Sequence, residues 1–269
     1  MKERLDMRLL SEGKFPTREK ARKSITEGLV TVNGVVRTKP GTAVSEKDTV
    51  AVTAELHPFV GRGGLKLSHA FTEWGISAEG LTCMDVGAST GGFTDCMLKA
   101  GAGLVYAVDV GQGQLAPSLL KDPRVRNFEK TNVRYLGADY FGERMDFAAV
   151  DVSFISVTKL FPGITGQLKD GAELVLLIKP QFEAGPEYLG KNGIVLRKEP
   201  VHVRVIRSVL EEAGNNGLLL LGLTVSPITG GSGNIEYLAY LKKQDGETRV
   251  IPPGLVERVV HEAFLYHSK

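Results

Sequence analysis

From Leu81 onward, short apolar runs alternate with helix-like stretches, and this alternation leaves the chain few folds to choose from. The runs are LTCMDVG, LVYAVDVG, VRNFE, FAAVDVSF and ELVLLIKP, each of strand length, with helical segments between them. Strands separated by helices predict βαβ units and a parallel sheet, because each crossover brings the next strand back in the same direction. A helix over EPVHVRVIRSVLEEAG follows. Two further strands, LLLLGLTVSPI and IEYLAYLKK, are close enough in sequence for an antiparallel return. The expectation is an α/β unit with a mostly parallel sheet and its last strand antiparallel.

Residues 1–56 follow a different pattern and are expected to form a unit of their own. Leu5, Leu9 and Leu10 suggest a first helix, and Thr17 can cap a second running from Arg18 to about Glu27, with Gly28 as its stop. LVTVNGVVRTKPGTAV alternates on both sides of Asn33-Gly34, a strong hairpin signal, and a further strand is expected over Thr49–Thr53. This is a small α+β module. Residues 57–80 are read as a joining segment with a leading helix over LKLSHAFTEW, and 81–269 as the large domain.

Charge is distributed unevenly. The net charge is only +2, yet residues 1–62 hold twelve Lys/Arg against eight Asp/Glu, which suggests a local polyanion contact. Lys14, Arg18, Lys20, Arg22 and Lys23 crowd into ten positions beside one acid, Glu19, and Arg18 and Arg22 share a helix face. A charge run alone is usually a solvated face, but such a stripe can also neutralise phosphates and position RNA without reading its bases. Two cysteines argue against a disulfide framework and suit a reducing cytoplasm. Charges interrupt the apolar residues of MKERLDMRLL, which does not read as a signal peptide, and no apolar run approaches the ~20 residues of a membrane helix. A cytoplasmic protein is expected.

The most informative stretch is DVGASTGGFTD, which follows an apolar strand and opens a helix. A doubly wound sheet binds nucleotide-like ligands there, outside the carboxyl end of its first strand. Gly87, Gly91 and Gly92 permit a tight turn and a close approach of backbone to ligand. The next strand ends in Asp109, whose carboxylate can accept from both ribose hydroxyls of an adenosine. A dinucleotide fingerprint needs glycine where Ser89 stands, and Asp85 would repel phosphates while suiting a cationic amino-acid group. Both points favour S-adenosylmethionine over NAD. The expected cofactor-binding set is Asp85, Gly87, Ser89, Gly91, Gly92, Phe93, Asp109 and Asp151.

Absences narrow the methyl acceptor. The fourth strand ends Asp151-Val152-Ser153-Phe154, without the two prolines that grip an exocyclic base nitrogen. Cys83 and Cys96 both fall in core elements, so neither looks like the nucleophile that cytosine carbon-five methylation needs. A hydroxyl acceptor must lose its proton as it attacks, so a base or a charged cluster should stand nearby. Asp151 and Lys179, each at a strand end, would converge on the cofactor crevice. Lys66 lies before the first strand of the large domain and Glu236 in the last. The five histidines show no metal-ligand spacing, and no metal is expected.

With these residues in view, the sequence resembles the TlyA family over essentially its full length. RLDMRLL, TREKARKSITEGLVTVNG and KPG resemble an S-four-type RNA-binding domain, and GRGGLKL, DVGASTGGFTD, AVDVSFIS and IKPQFE resemble an FtsJ-type ribose 2′-O-methyltransferase domain. The resemblance implies a Rossmann-like class I methyltransferase sheet and a Lys-Asp-Lys-Glu tetrad at Lys66, Asp151, Lys179 and Glu236. It also implies S-adenosylmethionine as cofactor, S-adenosylhomocysteine as product, and ribosomal RNA or ribosomal subunits as partner. The RNA contacts expected of the first domain are Arg4, Lys14, Arg18, Lys20, Arg22 and Lys23. Two other classes compete: an RNA-binding protein without turnover, against which the intact tetrad argues, and a membrane-active haemolysin, after the family's other name. The latter would need an apolar or amphipathic insertion element, and the sequence shows none.

Overall fold

The computed structural model describes residues 2–15, 17–26, 28–52, 58–190, 193–195, 198–230, 233–244 and 251–267. The expected ends at Glu27 and Thr53, and the side chain of Lys23, lie outside the described residues. The chain divides into two compact units, Met1–Pro58 and Phe59–Lys269, so the helix read as part of the joining segment belongs to the second unit.

In the first unit, β1 (Lys2–Arg4) leads into α1 (Leu5–Ser11) and α2 (Arg18–Thr26), followed by β2 (Val30–Val32), β3 (Val35–Val36), β4 (Ala43–Ser45) and β5 (Val50–Val52). The Thr17 hydroxyl accepts from the Lys20 N–H at 3.2 Å, the cap its position predicted. Asn33 and Gly34 both take positive φ, 54° and 77°, and join β2 to β3 as a tight hairpin. β5 pairs with the other edge of β2, and β1 pairs with β4, a contact that three residues of mixed polarity gave no means of foreseeing. Leu5, Leu9, Phe15, Ile25, Val30 and Val32 are buried together as its core.

The second unit opens with α3 (Gly63–Trp74). Then β6 (Thr82–Val86), α4 (Gly92–Lys99), β7 (Leu104–Val108), α5 (Pro117–Leu120), β8 (Val125–Phe128) and β9 (Met145–Val150) follow. The chain continues through α6 (Phe161–Gln167), β10 (Leu168–Ile178), α7 (Pro180–Glu183), α8 (Glu199–Asn215), β11 (Leu218–Val225), β12 (Tyr237–Lys243) and α9 (Leu255–Tyr266). The sheet order is β11-β12-β10-β9-β6-β7-β8, with β12 antiparallel to both neighbours and the other pairs parallel. This is the sheet the alternation and the resemblance led us to expect. β10 starts earlier than its apolar run, at Leu168, and re-enters register after an irregularity before Glu173. α9 falls outside the elements read from the sequence.

Side chains on these strands alternate between two cores because successive residues point to opposite faces. Cys83, Val105, Phe147, Val175 and Leu238 pack against α3 and α4, through residues such as Leu67, Phe71, Phe93 and Met97. Met84, Val108, Val150, Leu176 and Tyr237 face the other layer, which includes Phe161, Val205, Ile206 and Val260. Covered on both faces, the central strands are apolar throughout, as their continuous runs required. The order reverses between β6 and β9, which opens a crevice at their carboxyl ends.

Candidate active site

The glycine loop is held by backbone geometry. Gly87 has φ 85°, and a Cβ on it would come within 2.4 Å of the Asp151 carbonyl oxygen, so no larger residue fits between the ends of β6 and β9. Gly91 has φ 92°, and its Cβ would strike Leu119 at 2.2 Å. Gly91 lines neither of the two adjoining cavities. Its positive φ and the nearness of Leu119 account for a glycine in the turn. Val60 N–H donates to Asp95 Oδ2 at 2.8 Å, which secures the segment before α3 against α4.

Asp85 lies near the end of β6. Its carboxyl is wholly enclosed and lines neither cavity; Oδ2 accepts the N–H and hydroxyl of Thr94 at 2.8 and 2.6 Å. Burial pushes its pKa up to about 7, against the lowering effect of the Thr94 hydrogen bonds, and the charges of Asp151 and Asp109 add to the rise. In this structure it fastens the start of α4 from beneath.

The larger cavity, about 590 Å³, lies across the ends of β6, β7 and β9. Gly87, Ser89, Asp109, Asp151 and Phe154 line it, with Val133, Val152 and Leu160 supplying apolar surface. Asp109 Oδ2 accepts from Ser89 N–H at 2.7 Å and Oδ1 from Gly111 N–H at 2.6 Å, so its carboxylate stands fixed at the cavity wall with lone pairs to spare. A smaller cavity of about 200 Å³ adjoins it, lined by Gly63, Gly92, Phe93, Asp151, Ser153 and Lys179 among others. A shallow groove of α8 and α9, lined by Glu199, Arg204, Arg207 and Glu257, contains none of these strand-end residues.

The four tetrad candidates form two ion pairs. Lys179 Nζ stands 2.5 Å from Asp151 Oδ1 and donates to Ser153 Oγ at 2.9 Å. Lys66 Nζ, from α3, stands 2.6 Å from Glu236 Oε2, with both residues buried. The first pair lines the smaller cavity; Lys66 and Glu236 line neither of the two. Glu236 stands just before β12 rather than within it.

Three residues at the site escaped the sequence reading. Ser153 partners Lys179, and Gln181 Nε2 donates to Glu236 Oε1 at 2.9 Å. Phe154 is 92% exposed at the cavity mouth with φ 64°, a conformation that strains a bulky residue, and its ring lies 5.2 Å from that of Phe182. An aromatic shortly after the strand, in Asp151-Val152-Ser153-Phe154, was the signal the sequence offered. Cys83 and Cys96 are buried, and burial pushes both thiols up to about 12, which leaves neither as a nucleophile.

In the first unit the basic residues separate into two kinds. Asp6, fully buried, pairs with Arg4 at 2.9 Å and Arg18 at 3.0 Å, and those cations hold its pKa below the ordinary carboxylate value against the cost of burial. Lys14 pairs with Glu12 at 3.1 Å and donates to the Val50 carbonyl. Lys20 and Arg22 are exposed on α2.

A model of the FtsJ-like methyltransferases matches residues 59–243, and a model of the S4 domain matches residues 3–50. The chain belongs to the FtsJ-like methyltransferase family. Within it, the 16S/23S rRNA (cytidine-2′-O)-methyltransferase TlyA of Mycobacterium tuberculosis is 38% identical over 97% of this chain and 96% of its own length. Hemolysin A of Brachyspira hyodysenteriae is 42% identical over 88% of this chain and 98% of its own. A solved structure described as a hemolysin, from Streptococcus thermophilus, superposes with a TM-score of 0.79 at 42% identity, covering 99% of this chain and 97% of that one. The chain is thus a TlyA-type member of the FtsJ-like family, with an S4 domain preceding the class I methyltransferase sheet in sequence. Among the described residues, no helix is long and apolar enough to cross a membrane.

Proposed function

We propose that the chain transfers a methyl group from S-adenosylmethionine to a ribose 2′-hydroxyl of ribosomal RNA, with S-adenosylhomocysteine as product. The observation that carries this reading is the Lys179–Asp151 ion pair at the ends of adjacent strands, on the wall of the crevice beside the glycine loop.

The larger cavity fits the cofactor's adenosine. Asp109 retains lone pairs for two ribose hydroxyls, Val133 and Leu160 offer apolar surface to a purine, and Gly87 leaves the loop without a Cβ. Asp85, beneath the loop, supports that site and Gly91 shapes its turn, while Ser89 lines both cavities and Gly92 and Phe93 line the smaller one. Once bound, the cofactor supplies an electrophilic methyl on a sulfonium.

The chain's own residues handle the acceptor. Lys179 donates one N–H to Ser153 and stands in ion-pair contact with Asp151, which leaves N–H capacity for a ribose oxygen. Asp151 is the proton acceptor at hand when the hydroxyl attacks, and the Lys179 ammonium steadies the negative charge that develops on that oxygen. Lys66 and Glu236, buried together, act as the support behind this pair. The exposed ring of Phe154 suits a base turned out of its stack.

The S4 domain supplies the hold on RNA. Lys20 and Arg22, exposed on α2, are candidates for phosphate contacts, and Lys23 stays a candidate on sequence alone; Arg4 and Arg18 are half-exposed and keep N–H groups beyond those given to Asp6. Lys14 contributes charge while tied to its own domain. A ribosomal substrate implies a cytoplasmic protein. The TlyA relative is named for cytidine acceptors, and cytidine is the first nucleotide to test.

The deciding experiment is methyl transfer from labelled S-adenosylmethionine to purified ribosomal subunits and to naked RNA, with the product nucleotide mapped by mass spectrometry. Ribose methylation also blocks alkaline cleavage at that position. A methyl group on a base would sink the proposal.

A further inference from the structure

The two ion pairs of the site share no atom, yet one side chain ties them together. Gln181 lies in α7, two residues beyond Lys179, and its Nε2 donates to Glu236 Oε1 at 2.9 Å, while Lys66 holds Oε2 at 2.6 Å. Glu236 is therefore gripped on both oxygens, from α3 and from the turn that carries Lys179. That turn is itself closed by Phe182 N–H to Lys179 O and Ala184 N–H to Pro180 O, both 2.9 Å.

The orientation of the amide follows from chemistry, because a carboxylate can only accept and the NH₂ end must face it. Gln181 Oε1 is then buried without a donor among the described residues. An orphaned acceptor is a cost to stability, and a methionine would fill the same volume without it. Stability does not explain an amide here; the hold on Glu236 does. The surroundings are shaped to it as well: a Cβ on Gly230 would come within 2.4 Å of Glu236 Oε1 and 3.5 Å of Gln181 Nε2.

We propose that Gln181 is a positioning residue, which acts through Glu236 to keep the buried Lys66–Glu236 pair in fixed geometry with the Lys179–Asp151 pair. The inference rests on the proposed methyl transfer for its functional consequence and on the hydrogen bond alone for its structural one.

Two variants of the full chain test it. Gln181→Met keeps the volume and removes the hydrogen bond. Gln181→Glu sets a second carboxyl against Glu236: protonated it still donates, ionised it repels. Among the described residues, charged groups near this contact include Lys66 on Glu236, Lys179 on Asp151, and Arg62, whose guanidinium donates to the Thr229 carbonyl. Expected for Gln181→Met is a kcat lower by about tenfold to a hundredfold at every pH, with S-adenosylhomocysteine affinity unchanged. Expected for Gln181→Glu is a rate near wild type at the acid end of the working range, falling relative to wild type as pH rises and the shared proton is lost. The melting temperature of Gln181→Glu relative to wild type should fall over the same pH interval, a readout that needs no turnover. A wild-type kcat in Gln181→Met, or a melting-temperature difference in Gln181→Glu that is flat with pH, overturns the inference. Failure of the wild-type protein to methylate any RNA would instead overturn the proposed reaction, and the melting series still judges the contact.

Discussion

Lys66 and Glu236, 170 residues apart in the chain, meet in the interior with 2.6 Å between Nζ and Oε2. Removing either partner leaves a buried charge unmatched, which typically costs ~3–5 kcal/mol, whereas replacing both with apolar residues is often neutral. Lys66→Met and Glu236→Leu should each lower the urea midpoint sharply, and the double variant should recover most of the loss. If the two losses simply add, the pair is not coupled. The double variant should fold and fail to methylate.

Lys179 stands at the reacting end of the site. Positioned acid–base help contributes ~10²–10⁴-fold, so Lys179→Ala should reduce single-turnover methyl transfer by a factor in that range. S-adenosylhomocysteine affinity, measured by calorimetry, should hardly change. Undiminished turnover would remove Lys179 from the chemistry.

Asp109 does two things at once: it braces Ser89 and Gly111, and it faces the larger cavity. Asp109→Ala should weaken cofactor binding by ~1.5–3 kcal/mol, the worth of a hydrogen bond to a charged group. An unchanged dissociation constant would move the adenosine elsewhere.

Asp85 should make stability depend on pH. Its folded pKa is raised to about 7 from an ordinary 3.8, so between those values the folded chain binds a proton that the unfolded chain has released. Stability therefore falls as pH rises through this window and levels above it, by at most ~4 kcal/mol for about three pKa units. Asp85→Asn should flatten that slope in urea titrations from pH ~4 to ~8. Parallel curves for the two proteins would show that Asp85 ionises normally.

Lys20 and Arg22 are exposed, whereas Arg18 is tied to the buried Asp6. Lys20→Glu and Arg22→Glu should weaken RNA binding and reduce the salt dependence by about one counterion each, with no change in cofactor affinity. Asp6→Ala should instead melt the first unit earlier, because its carboxylate holds Arg4 and Arg18 together. Equal salt slopes in all proteins would exclude these two residues as phosphate contacts.

Local chemistry made much of this legible in the sequence. Strand and helix periods forecast all seven strands of the large sheet, and Asn33-Gly34 forecast the hairpin, because side-chain alternation and positive φ are properties of a few consecutive residues. The motif match assigned the family's domains for the same reason. Tertiary structure alone decided the rest. That Asp85 turns inward to Thr94, that Gly91 leaves room for Leu119, and that Arg4 and Arg18 converge on Asp6 all depend on which atoms crowd a position. The division of the tetrad into a pair that lines a cavity and a pair that does not, and the place of Gln181 between them, have no periodicity to announce them. Those contacts join residues distant in the chain, and only packing of the sheet against α3 and α7 sets their distances.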